Sequence, residues 1–398
     1  MSVEQAPAAR NPARSTHHSA HESAVWEAQN VSVADVERQL QRNLRELSTP
    51  IAHGTAAHPP PRASVLNLVV HADEDGEADR ASEAMASLAI RHPSRTLLLV
   101  TAPDAATDGL DASVRTQRAR GPGGQTQLCF EEVRLLARGA TALHLASVVE
   151  PLLMSNLPTY LWWLGRPPGS NDPLLRLCDR LIVDSAEFPD ALAGLAALDA
   201  CAAGSDKNLE LGDLGWRRIA PWCQLIAQFF DPPDARPYQH RLRRVTVEYA
   251  LTPSGVVSAA PLLLVGWLAA RLSWEPETVT TARGALDSLF TPLQPGADGE
   301  GITVRIRPRP SSHLPAGALL AVTLAAGTDA TAASFEVRVG DDAACGITRA
   351  VLPGVREIER TAPLGKARPA ELLAHELERA VADPIYAESL AMVGRLVR

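Results

Sequence analysis

The stretch VLNLVVHADEDGEADRASEAMASLAIRHPSRTLLLVTA, residues 65–102, decides the fold of the first half of the chain. It starts with a continuous apolar run over 65–71, which predicts a strand buried on both faces. Ala, Met and Leu then recur at helical spacing over 75–92, and Pro93 ends this helix. A second apolar run follows over 94–102. A strand, a helix and a second buried strand predict a parallel βαβ unit.

The same alternation continues to about residue 205. The sequence predicts further strands over 126–139, 158–165 and 180–186, and helices over 141–155 and 190–203. Residues 103–125 contain GPGG and are expected to form an open loop. We therefore predict an α/β domain over 63–205, with a largely parallel sheet covered on both faces.

A different pattern begins near residue 240. An alternating strand over 241–251 and an apolar helix over 260–274 are followed by four short strands, which are GITVRIRPR, LLAVTLAAG, SFEVRVG and GITRAVLP. Two helices, over 368–381 and 383–397, close the chain. Strands in succession followed by helices predict an α+β domain with antiparallel strands over 240–398.

Two segments flank or join these domains. Residues 1–62 are expected to be a disordered tail, an amphipathic helix over 32–47 and a proline-rich linker. Residues 206–239 are predicted to be a bridging helical segment. Asp213 is its expected N-cap. Pro221 lies inside the helix, so the helix either kinks there or begins anew there.

Composition excludes several classes of protein. The formal net charge of −8 argues against a nucleic-acid partner. The longest apolar runs are too short to span a bilayer, and no apolar signal core is seen, so we expect a cytoplasmic protein without a membrane partner. The five cysteines form no CxxC pair, which argues against a zinc knuckle or a disulfide framework.

Motifs with a defined chemistry are missing from the sequence. The first strand leads into ADEDGEAD and not into a G-x-G-x-x-G turn, and neither a phosphate loop nor a nucleophile elbow is present. The carboxylates of 71–79 suit either a divalent metal or the N-terminus of a helix, and the helix is the commoner reason for them. His92 suits either an anion or the last carbonyls of a helix. We therefore predict no catalytic, cofactor-binding or metal-binding residues.

Tryptophan is concentrated in two short motifs. Four of the seven tryptophans lie in LPTYLWWLG and DLGWRRIAPWCQ, as Trp162, Trp163, Trp216 and Trp222. Adjacent residues of a strand point to opposite faces, so Trp162 and Trp163 cannot pack on one side of the sheet. Trp and Arg are enriched in protein–protein hot spots, yet Trp is also highly buried on average. Both a core role and an interface role stay open.

These motifs carry a resemblance. LPTYLWWLGRPP, RLIVDSAEFP and DLGWRRIAPWCQLIAQFFD, in that order, resemble the glucose-6-phosphate dehydrogenase assembly protein (OpcA) family. RASVLNLVV and SLAIRHPSRTLLLV match the first strand–helix–strand unit of that family. The resemblance covers roughly residues 32–275, and the remainder is similar only in the arrangement of its elements.

The resemblance implies a function. It implies a non-catalytic protein that binds glucose-6-phosphate dehydrogenase and aids its assembly or activates it, in the oxidative pentose phosphate pathway. We expect the partner surface to include the motif residues Trp162, Trp163, Asp213, Trp216, Arg218 and Trp222. Some relatives are linked to thiol control, but the C-terminal region holds only Cys345, so a switch within it is not expected.

Two other functions compete with this one. The chain could be an α/β enzyme or sensor that binds a small phosphorylated or sugar ligand, with 71–79 and His92 as its site. It could also be a structural subunit of another complex. The missing catalytic motifs argue against the enzyme, whereas sequence reasoning does not separate the two binding proteins.

Overall fold

The computed structural model describes residues 23–48, 64–89, 91–120, 126–204, 209–293, 301–327, 332–355, 357–365 and 368–397. Over these residues the chain forms two eight-stranded sheets, eight α-helices and several short 3₁₀ turns. The chain therefore has an α/β fold, which confirms in part the expected α/β domain followed by an α+β domain. The division into domains near residues 205 and 240 stays a prediction.

The first sheet belongs to the N-terminal half of the chain. Its strands are β1 (Ser23–Ala28), β2 (Leu66–Ala72), β3 (Ser94–Ala102), β4 (Gly109–Arg120), β5 (Thr126–Arg138), β6 (Thr159–Trp163), β7 (Arg180–Val183) and β8 (Glu210–Asp213). The helices of this half are α1 (Val33–Ser48), α2 (Asp75–Leu88), α3 (Leu145–Val149), α4 (Ala191–Gly204) and α5 (Leu214–Gln228). The largely parallel sheet is confirmed, because β5, β3, β2, β6, β7 and β8 are neighbours in that order and all run parallel.

The order of the parallel strands is that of dinucleotide-binding folds. When these six strands are numbered 1 to 6 along the chain, their order in the sheet is 3-2-1-4-5-6. The direction in which strands are added reverses between β2 and β6. The carboxyl ends of these two strands therefore flank the place where a doubly wound sheet usually binds its ligand.

Two segments differ from the expected tail and loop. Residues 23–28 form β1, which pairs antiparallel with β4, and residues 109–120 form β4, which makes a hairpin with β5. The buried residues of β4 are Leu110, Ala112, Val114 and Thr116, so a period of two is present. Small and polar side chains dilute this alternation, and no strand was predicted from it.

The helices predicted at both ends of this half are confirmed. Helix α1 covers the expected amphipathic segment. Helix α5 begins directly after Asp213, whose side chain caps it by accepting from the Gly215 N–H. It continues through Pro221 as one helix. The proline-rich linker over 51–62 lies outside the described residues, and so does the expected tail before residue 23.

The second sheet belongs to the C-terminal half. Its strands are β9 (Leu242–Ala250), β10 (Trp274–Ala282), β11 (Ala285–Pro292), β12 (Ile302–Arg309), β13 (Leu319–Ala326), β14 (Ala333–Val339), β15 (Cys345–Val351) and β16 (Ile358–Pro363). Their order is β10-β11-β12-β9-β13-β14-β15-β16. Six of the seven neighbouring pairs are antiparallel, so the expected antiparallel strands are largely confirmed. The exception is the parallel pair of β9 and β12.

Three helices accompany this sheet, and two of them return to the N-terminal half. These are α6 (Ala259–Leu272), α7 (Pro369–Glu378) and α8 (Pro384–Val397). Helix α7 packs on α2 and α5, and α8 packs on α6 and α4. The approach of α6 to α8 depends on Gly266, since a Cβ there would lie 2.5 Å from the Ser389 carbonyl oxygen. The end of the chain thus holds the two halves together.

The buried carboxylate of Glu376 holds α7 against the N-terminal half of the chain. Glu376 of α7 is fully buried and accepts from the Arg217 Nε of α5, and Arg379 Nη1 lies 3.4 Å from its other oxygen. Arg180 of β7 donates to the Glu376 backbone carbonyl at 2.7 Å. Asp383 accepts from Trp216 Nε1 at 3.1 Å and from Arg217 Nη2 at 3.2 Å.

We predict that the Arg217→Ala variant is strongly destabilised. A buried carboxylate that loses its partner costs about 3–5 kcal/mol, and Arg379 keeps the expected loss near the lower end of that range. The matched control is Arg91→Ala, because Arg91 pairs with Glu378 of the same helix at the exposed surface, where such pairs contribute about 0–1 kcal/mol. Urea unfolding of both variants measures the difference. Equal losses would contradict the role given to Glu376.

Candidate functional site

The carboxyl ends of the parallel strands meet at one edge of the first sheet, which we call the carboxyl edge. It consists of residues 71–77, 163–166, 184–187 and 213–218, which end β2, β6, β7 and β8 and form the turns after them. Open α/β sheets bind their ligands at this edge. The carboxyl edge is therefore the candidate site of the fold.

A stacked pair of aromatic rings lies at the centre of the edge. His71 and Trp163 are register partners on β2 and β6, and their rings stack with centroids 3.9 Å apart and an interplanar angle of 12°. Both side chains are buried, and His71 Nδ1 has no hydrogen-bond partner. Burial lowers the pKa of His71, although the charges of Asp73 and Asp172 act in the opposite direction. His71 is thus a neutral, packed ring near pH 7.

Two carboxylates occupy the space where the strand order reverses. The Asp73 N–H donates to Glu77 Oε2 at 3.3 Å, so the Glu77 side chain folds back over the first turn of α2. A Cβ placed on Gly165, at the end of β6, would lie 3.6 Å from Glu77 Oε1 and 3.9 Å from Asp73 Oδ2. Negative charge therefore lies where a dinucleotide-binding fold places its pyrophosphate, and a phosphate group would be repelled.

The other carboxylates of the first turns of α2 have structural partners. Arg134 of β5 reaches across to α2, with Nη2 2.7 Å from Asp75 Oδ1 and Nη1 2.6 Å from Asp79 Oδ1. Asp75 and Glu77 also complement the positive end of the α2 dipole. In the part of the chain that the structure describes, no group of three or more His, Cys, Asp or Glu side chains could hold a metal ion.

The β7 and β8 ends form a second polar group. Arg218 contacts both oxygens of Asp184, with Nη2 2.6 Å from Oδ2. Asp213 Oδ1 accepts from the Ser185 N–H at 3.0 Å and from the Gly215 N–H at 2.8 Å, which ties the two turns together. The Asp213 Oδ2, Ser185 Oγ and Tyr386 hydroxyl atoms are buried close to one another in this group.

Burial changes the proton affinity of these carboxyls. It raises the pKa of Asp213 to about 6, against the two backbone N–H groups that favour the charged form. Burial and the neighbouring Asp184 carboxylate also raise the pKa of Glu187. Burial first, and then the charge of Asp213, raises the pKa of the Tyr386 hydroxyl. The group is built around an aspartate that gains a proton in mildly acidic solution.

The structure places the six motif residues at or near this edge. Trp162 and Trp163 point to opposite faces of the sheet, as predicted, and each packs into a separate hydrophobic cluster. Asp213, Trp216 and Arg218 lie together at the start of α5, two strands away from Trp163. All four indoles and Asp213 are buried within the chain, whereas the Arg218 side chain is 32% exposed. Their contact with a partner stays a prediction.

The structure separates the two parts of the ligand site that the enzyme hypothesis combined. Residues 71–79 begin at the carboxyl end of β2, whereas His92 lies just before the amino end of the parallel strand β3. They therefore occupy opposite edges of the sheet. His92 is buried near α7, with Nε2 3.5 Å from Glu378 Oε1, and burial lowers its pKa.

Sequence reasoning missed Glu376 and Asp383, which contact the second tryptophan motif. A signal was present for Glu376, because it falls four residues after Leu372 on the apolar face of α7. A charge on an apolar face indicates a buried partner. Its partner Arg217 lies 159 residues away, beyond any local pattern. Of the cysteines whose side chains the structure describes, Cys178, Cys201 and Cys223 are buried and Cys345 is half-buried.

Two family models match the chain over most of its length. The model described as the glucose-6-phosphate dehydrogenase subunit N-terminal domain matches residues 85–200, and the one described as the C-terminal domain matches residues 209–390. The chain belongs to the OpcA family. The expected family is thereby confirmed, including the C-terminal part in which the sequence offered only a similar arrangement.

Curated OpcA proteins of cyanobacteria are similar to this chain. The OxPP cycle protein OpcA of Nostoc punctiforme is 31% identical over 206 residues, which are 50% of this chain and 42% of the relative. OpcA of Synechococcus elongatus is 27% identical over 286 residues, which are 68% of this chain and 60% of the relative. The chain thus spans less than two thirds of the length of these relatives.

Solved structures of oxidoreductases are similar to the chain only at low scores. An oxidoreductase from Sinorhizobium meliloti is 14% identical with a TM-score of 0.42, covering 82% of this chain and 86% of its own. A Gfo/Idh/MocA family oxidoreductase from Vibrio cholerae is 11% identical with a TM-score of 0.38, covering 83% and 96%. At these scores the likeness says nothing about activity. No helix among the described residues is long and apolar enough to cross a bilayer.

We predict that the purified chain neither binds NADPH saturably nor reduces NADP with glucose 6-phosphate. The carboxylates of Asp73 and Glu77 repel the pyrophosphate at the place where this strand order would bind it. Fluorescence titration with NADPH measures the binding, with purified glucose-6-phosphate dehydrogenase as the positive control. Saturable binding, or NADPH formation above that of a mock purification, would contradict the prediction.

We also predict that Asp213 makes stability depend on pH. Its folded pKa of about 6 exceeds its ordinary value of 3.8, so the folded state holds the proton more tightly than the unfolded state. The stabilising contribution is complete below about pH 4 and is lost as the pH rises through about 6. The whole change is about 3 kcal/mol, from roughly two pKa units.

The Asp213→Asn variant tests this contribution. Asparagine keeps an acceptor for the Ser185 and Gly215 N–H groups but does not titrate. Urea unfolding of wild type and variant at about pH 4 and about pH 7.5 gives a double difference, in which the other titrating groups cancel. The wild type should lose more stability between the two pH values than Asp213→Asn. Identical losses would show that Asp213 does not titrate in this window.

Proposed function

We propose that this chain is a non-catalytic partner of glucose-6-phosphate dehydrogenase that binds the dehydrogenase and aids its assembly or raises its activity. The observation that carries the proposal is the match of two models, described as domains of a glucose-6-phosphate dehydrogenase subunit, to residues 85–200 and 209–390. The similar cyanobacterial proteins are named for the OxPP cycle, which agrees with such a partner.

The chemistry of the carboxyl edge supports a role without catalysis. Ser185 Oγ is buried beside the Asp213 carboxyl, and His71 is buried in a stack with Trp163. A nucleophile needs a base within hydrogen-bond reach and a third group that orients the base. The described side chains of this edge do not form such a set. They form caps and ion pairs that hold turns in place.

The two tryptophan motifs have a place in this proposal. We propose that Trp162, Trp163, Asp213, Trp216 and Trp222 act in partner binding by holding the surface around them, because their side chains are buried. Arg218 is the motif side chain that reaches solvent, and it could touch a partner at the rim of a contact. Its pairing with the buried Asp184 fixes the guanidinium in position.

One observation favours a second candidate. The 3-2-1-4-5-6 strand order is typical of sheets that bind a nucleotide or another small ligand at the carboxyl edge. An enzyme or sensor for a small phosphorylated or sugar ligand would use that place. The charges of Asp73 and Glu77 and the separation of His92 from residues 71–79 weigh against it.

A titration of the cognate dehydrogenase tests the proposed function. The chain is added to a fixed amount of dehydrogenase, and NADPH formation is followed at limiting and at saturating glucose 6-phosphate, which separates KM from kcat. Sedimentation of the same mixtures gives the oligomeric state of the dehydrogenase. We expect a saturable change in kinetics or assembly together with a complex of defined mass.

The control is the same chain after it has been unfolded by heat. It has the amino-acid composition of the native chain but lacks the folded binding surface. Unchanged kinetics, unchanged assembly and the absence of a complex with the wild-type chain would together reject the proposed function. Tight binding of glucose 6-phosphate by the chain alone would favour the second candidate.

Trp163→Ala separates a holding role from a contact. The loss of a buried aromatic side chain costs about 3–5 kcal/mol of stability, so the variant should unfold earlier. If Trp163 only holds the surface, the folded fraction of the variant should act on the dehydrogenase with the half-saturating concentration of the wild type. A higher half-saturating concentration, after correction for the folded fraction by circular dichroism, would mean that Trp163 itself contacts the partner.

A further inference from the structure

The outer face of the second sheet holds a cavity. Val245 and Phe335 are buried on the inner face, in the same hydrophobic cluster as Leu262 of α6. The residues that alternate with them are half-buried or exposed and form the outer face. A cavity of about 310 Å³ opens at the end of this face where β13 and β14 are joined. Its lining includes Arg243, Arg244, Ala325, Ser334 and Val351.

The floor of the cavity is a row of register partners across four strands. Arg244 of β9 is opposite Ala325 of β13, which is also opposite Ser334 of β14. Ser334 is in turn opposite Val351 of β15. Neighbouring strands lie about 4.8 Å apart, so the two ends of the row are about 14 Å apart. The small side chains of Ala325 and Ser334 between them leave a depression in the face.

A β-bulge brings a second arginine to the same cavity. Ala325 is the register partner of Arg244, whereas Ala326 is the partner of Leu242, so Arg243 is an extra residue on β9. Adjacent residues of a regular strand point to opposite faces, but a bulge changes the direction of a side chain. Arg243 and Arg244 accordingly line one cavity.

The lining of the cavity is cationic. The described residues that line it include two arginines and neither Asp nor Glu. The carboxylates that follow along the same strands and the turn after β15 have arginines of their own beside them. Glu336 is the register partner of Arg349, and Glu357 Oε1 lies 2.5 Å from Arg349 Nε. Glu248 Oε1 lies 2.6 Å from Arg309 Nη2.

The lining residues suit an anion that carries a carbon skeleton. Arg243 is half-buried and also interacts with other groups of the chain, whereas the exposed Arg244 is open to a ligand. A guanidinium presents its donors in a planar fork that matches two oxygens of a phosphate or carboxylate group. The Ser334 hydroxyl can donate a further hydrogen bond. Ala325 and Val351 offer apolar contact.

We propose that this cavity binds a small organic oxyanion, which is a molecule with a phosphate or carboxylate group on a short carbon skeleton. Arg244 holds the anionic group, Arg243 adds positive charge behind it, and the skeleton lies on Ala325. The volume of about 310 Å³ is at the lower end of the roughly 300–1,000 Å³ of small-molecule sites, which favours a small ligand. The cavity is on the second sheet, so the inference does not depend on the proposed function or on the carboxyl edge.

The test is an NMR titration of the full chain that observes the small molecule. Glycerol 3-phosphate and butyrate each carry one kind of anionic group, glycerol lacks the charge, and inorganic phosphate lacks the skeleton. We expect saturable binding of glycerol 3-phosphate or of butyrate, tighter than that of inorganic phosphate, and no binding of glycerol. The anion that binds more tightly identifies the anionic group that the site takes.

Three variants locate the site, and circular dichroism checks their fold. Arg244→Gln removes the charge at the cavity, and Ala325→Leu fills the cavity but keeps both arginines. The matched control is Arg338→Gln, which removes the same charge from the same face, four residues along β14 from Ser334 and thus about 13 Å away. That distance exceeds the Debye length of about 8 Å at physiological salt. Arg244→Gln and Ala325→Leu should each bind roughly tenfold more weakly or worse, while Arg338→Gln binds like wild type.

Four outcomes would overturn the proposal. The first is a wild-type chain that binds neither organic anion saturably. The second is equal weakening by Arg338→Gln and Arg244→Gln, which would mean general attraction to the face. The third is a folded Ala325→Leu variant that binds like wild type, because the anion would then lie outside the cavity. The fourth is binding that Arg244→Gln leaves unchanged, which would place the ligand elsewhere on the chain. The dehydrogenase is absent from these titrations, so none of these results bears on the proposed function.

Discussion

The buried ion pair between Glu376 of α7 and Arg217 of α5 is the constraint on which the rest of the structure depends. A carboxylate with no exposed surface must have a cationic partner, because its desolvation otherwise costs several kcal/mol. The pair therefore fixes α7 against α5, and Asp383 extends the contact to Trp216. Residues near the end of the chain thereby close the N-terminal sheet. The second tryptophan motif, on α5, is thus one part of the N-terminal half on which α7 packs.

Helix caps and ion pairs also fill the carboxyl edge of the first sheet, although its strand order is typical of nucleotide-binding folds. In a dinucleotide-binding fold the turn after the first strand is open to phosphate. Here Glu77 folds over that turn, Asp184 is paired with Arg218, and Asp213 ties the β7 and β8 turns together. Each of these side chains forms a hydrogen bond or an ion pair with a neighbouring group of the chain. The edge therefore contributes rigidity.

Local patterns predicted the elements whose apolar runs are strong. The run over 65–71, the helix that Asp213 caps and five strands of the second half, β9 and β12 to β15, follow from buried spacing and turn residues, and the structure has them. Strands β1, β4, β8, β10, β11 and β16 were not predicted. The alternation of β4 is diluted with Ala and Thr, and β10 and β16 are exposed over most of their length. A strand that is buried on only one face has a weak hydrophobic pattern, which is hard to detect in a single sequence.

The site was predictable only in part, for a different reason. The motifs located Trp163 on a strand, Asp213 at the N-cap of a helix and Arg218 inside that helix, but pairing across the fold is not a local property. Asp184 lies 34 residues from Arg218, and Glu376 lies 159 residues from Arg217. The burial of Trp216 likewise involves Tyr386 of α8, with ring centroids 5.8 Å apart. Residue types can indicate a protein–protein hot spot, whereas the exposure of each side chain can be determined only from the three-dimensional structure.

Hydrogen exchange of this chain, with and without its cognate dehydrogenase, tests the central claim most directly. The account predicts that binding of the dehydrogenase slows exchange in the surface around Arg218, which the two tryptophan motifs hold in place. No slowing there in a mixture that forms the complex would contradict it.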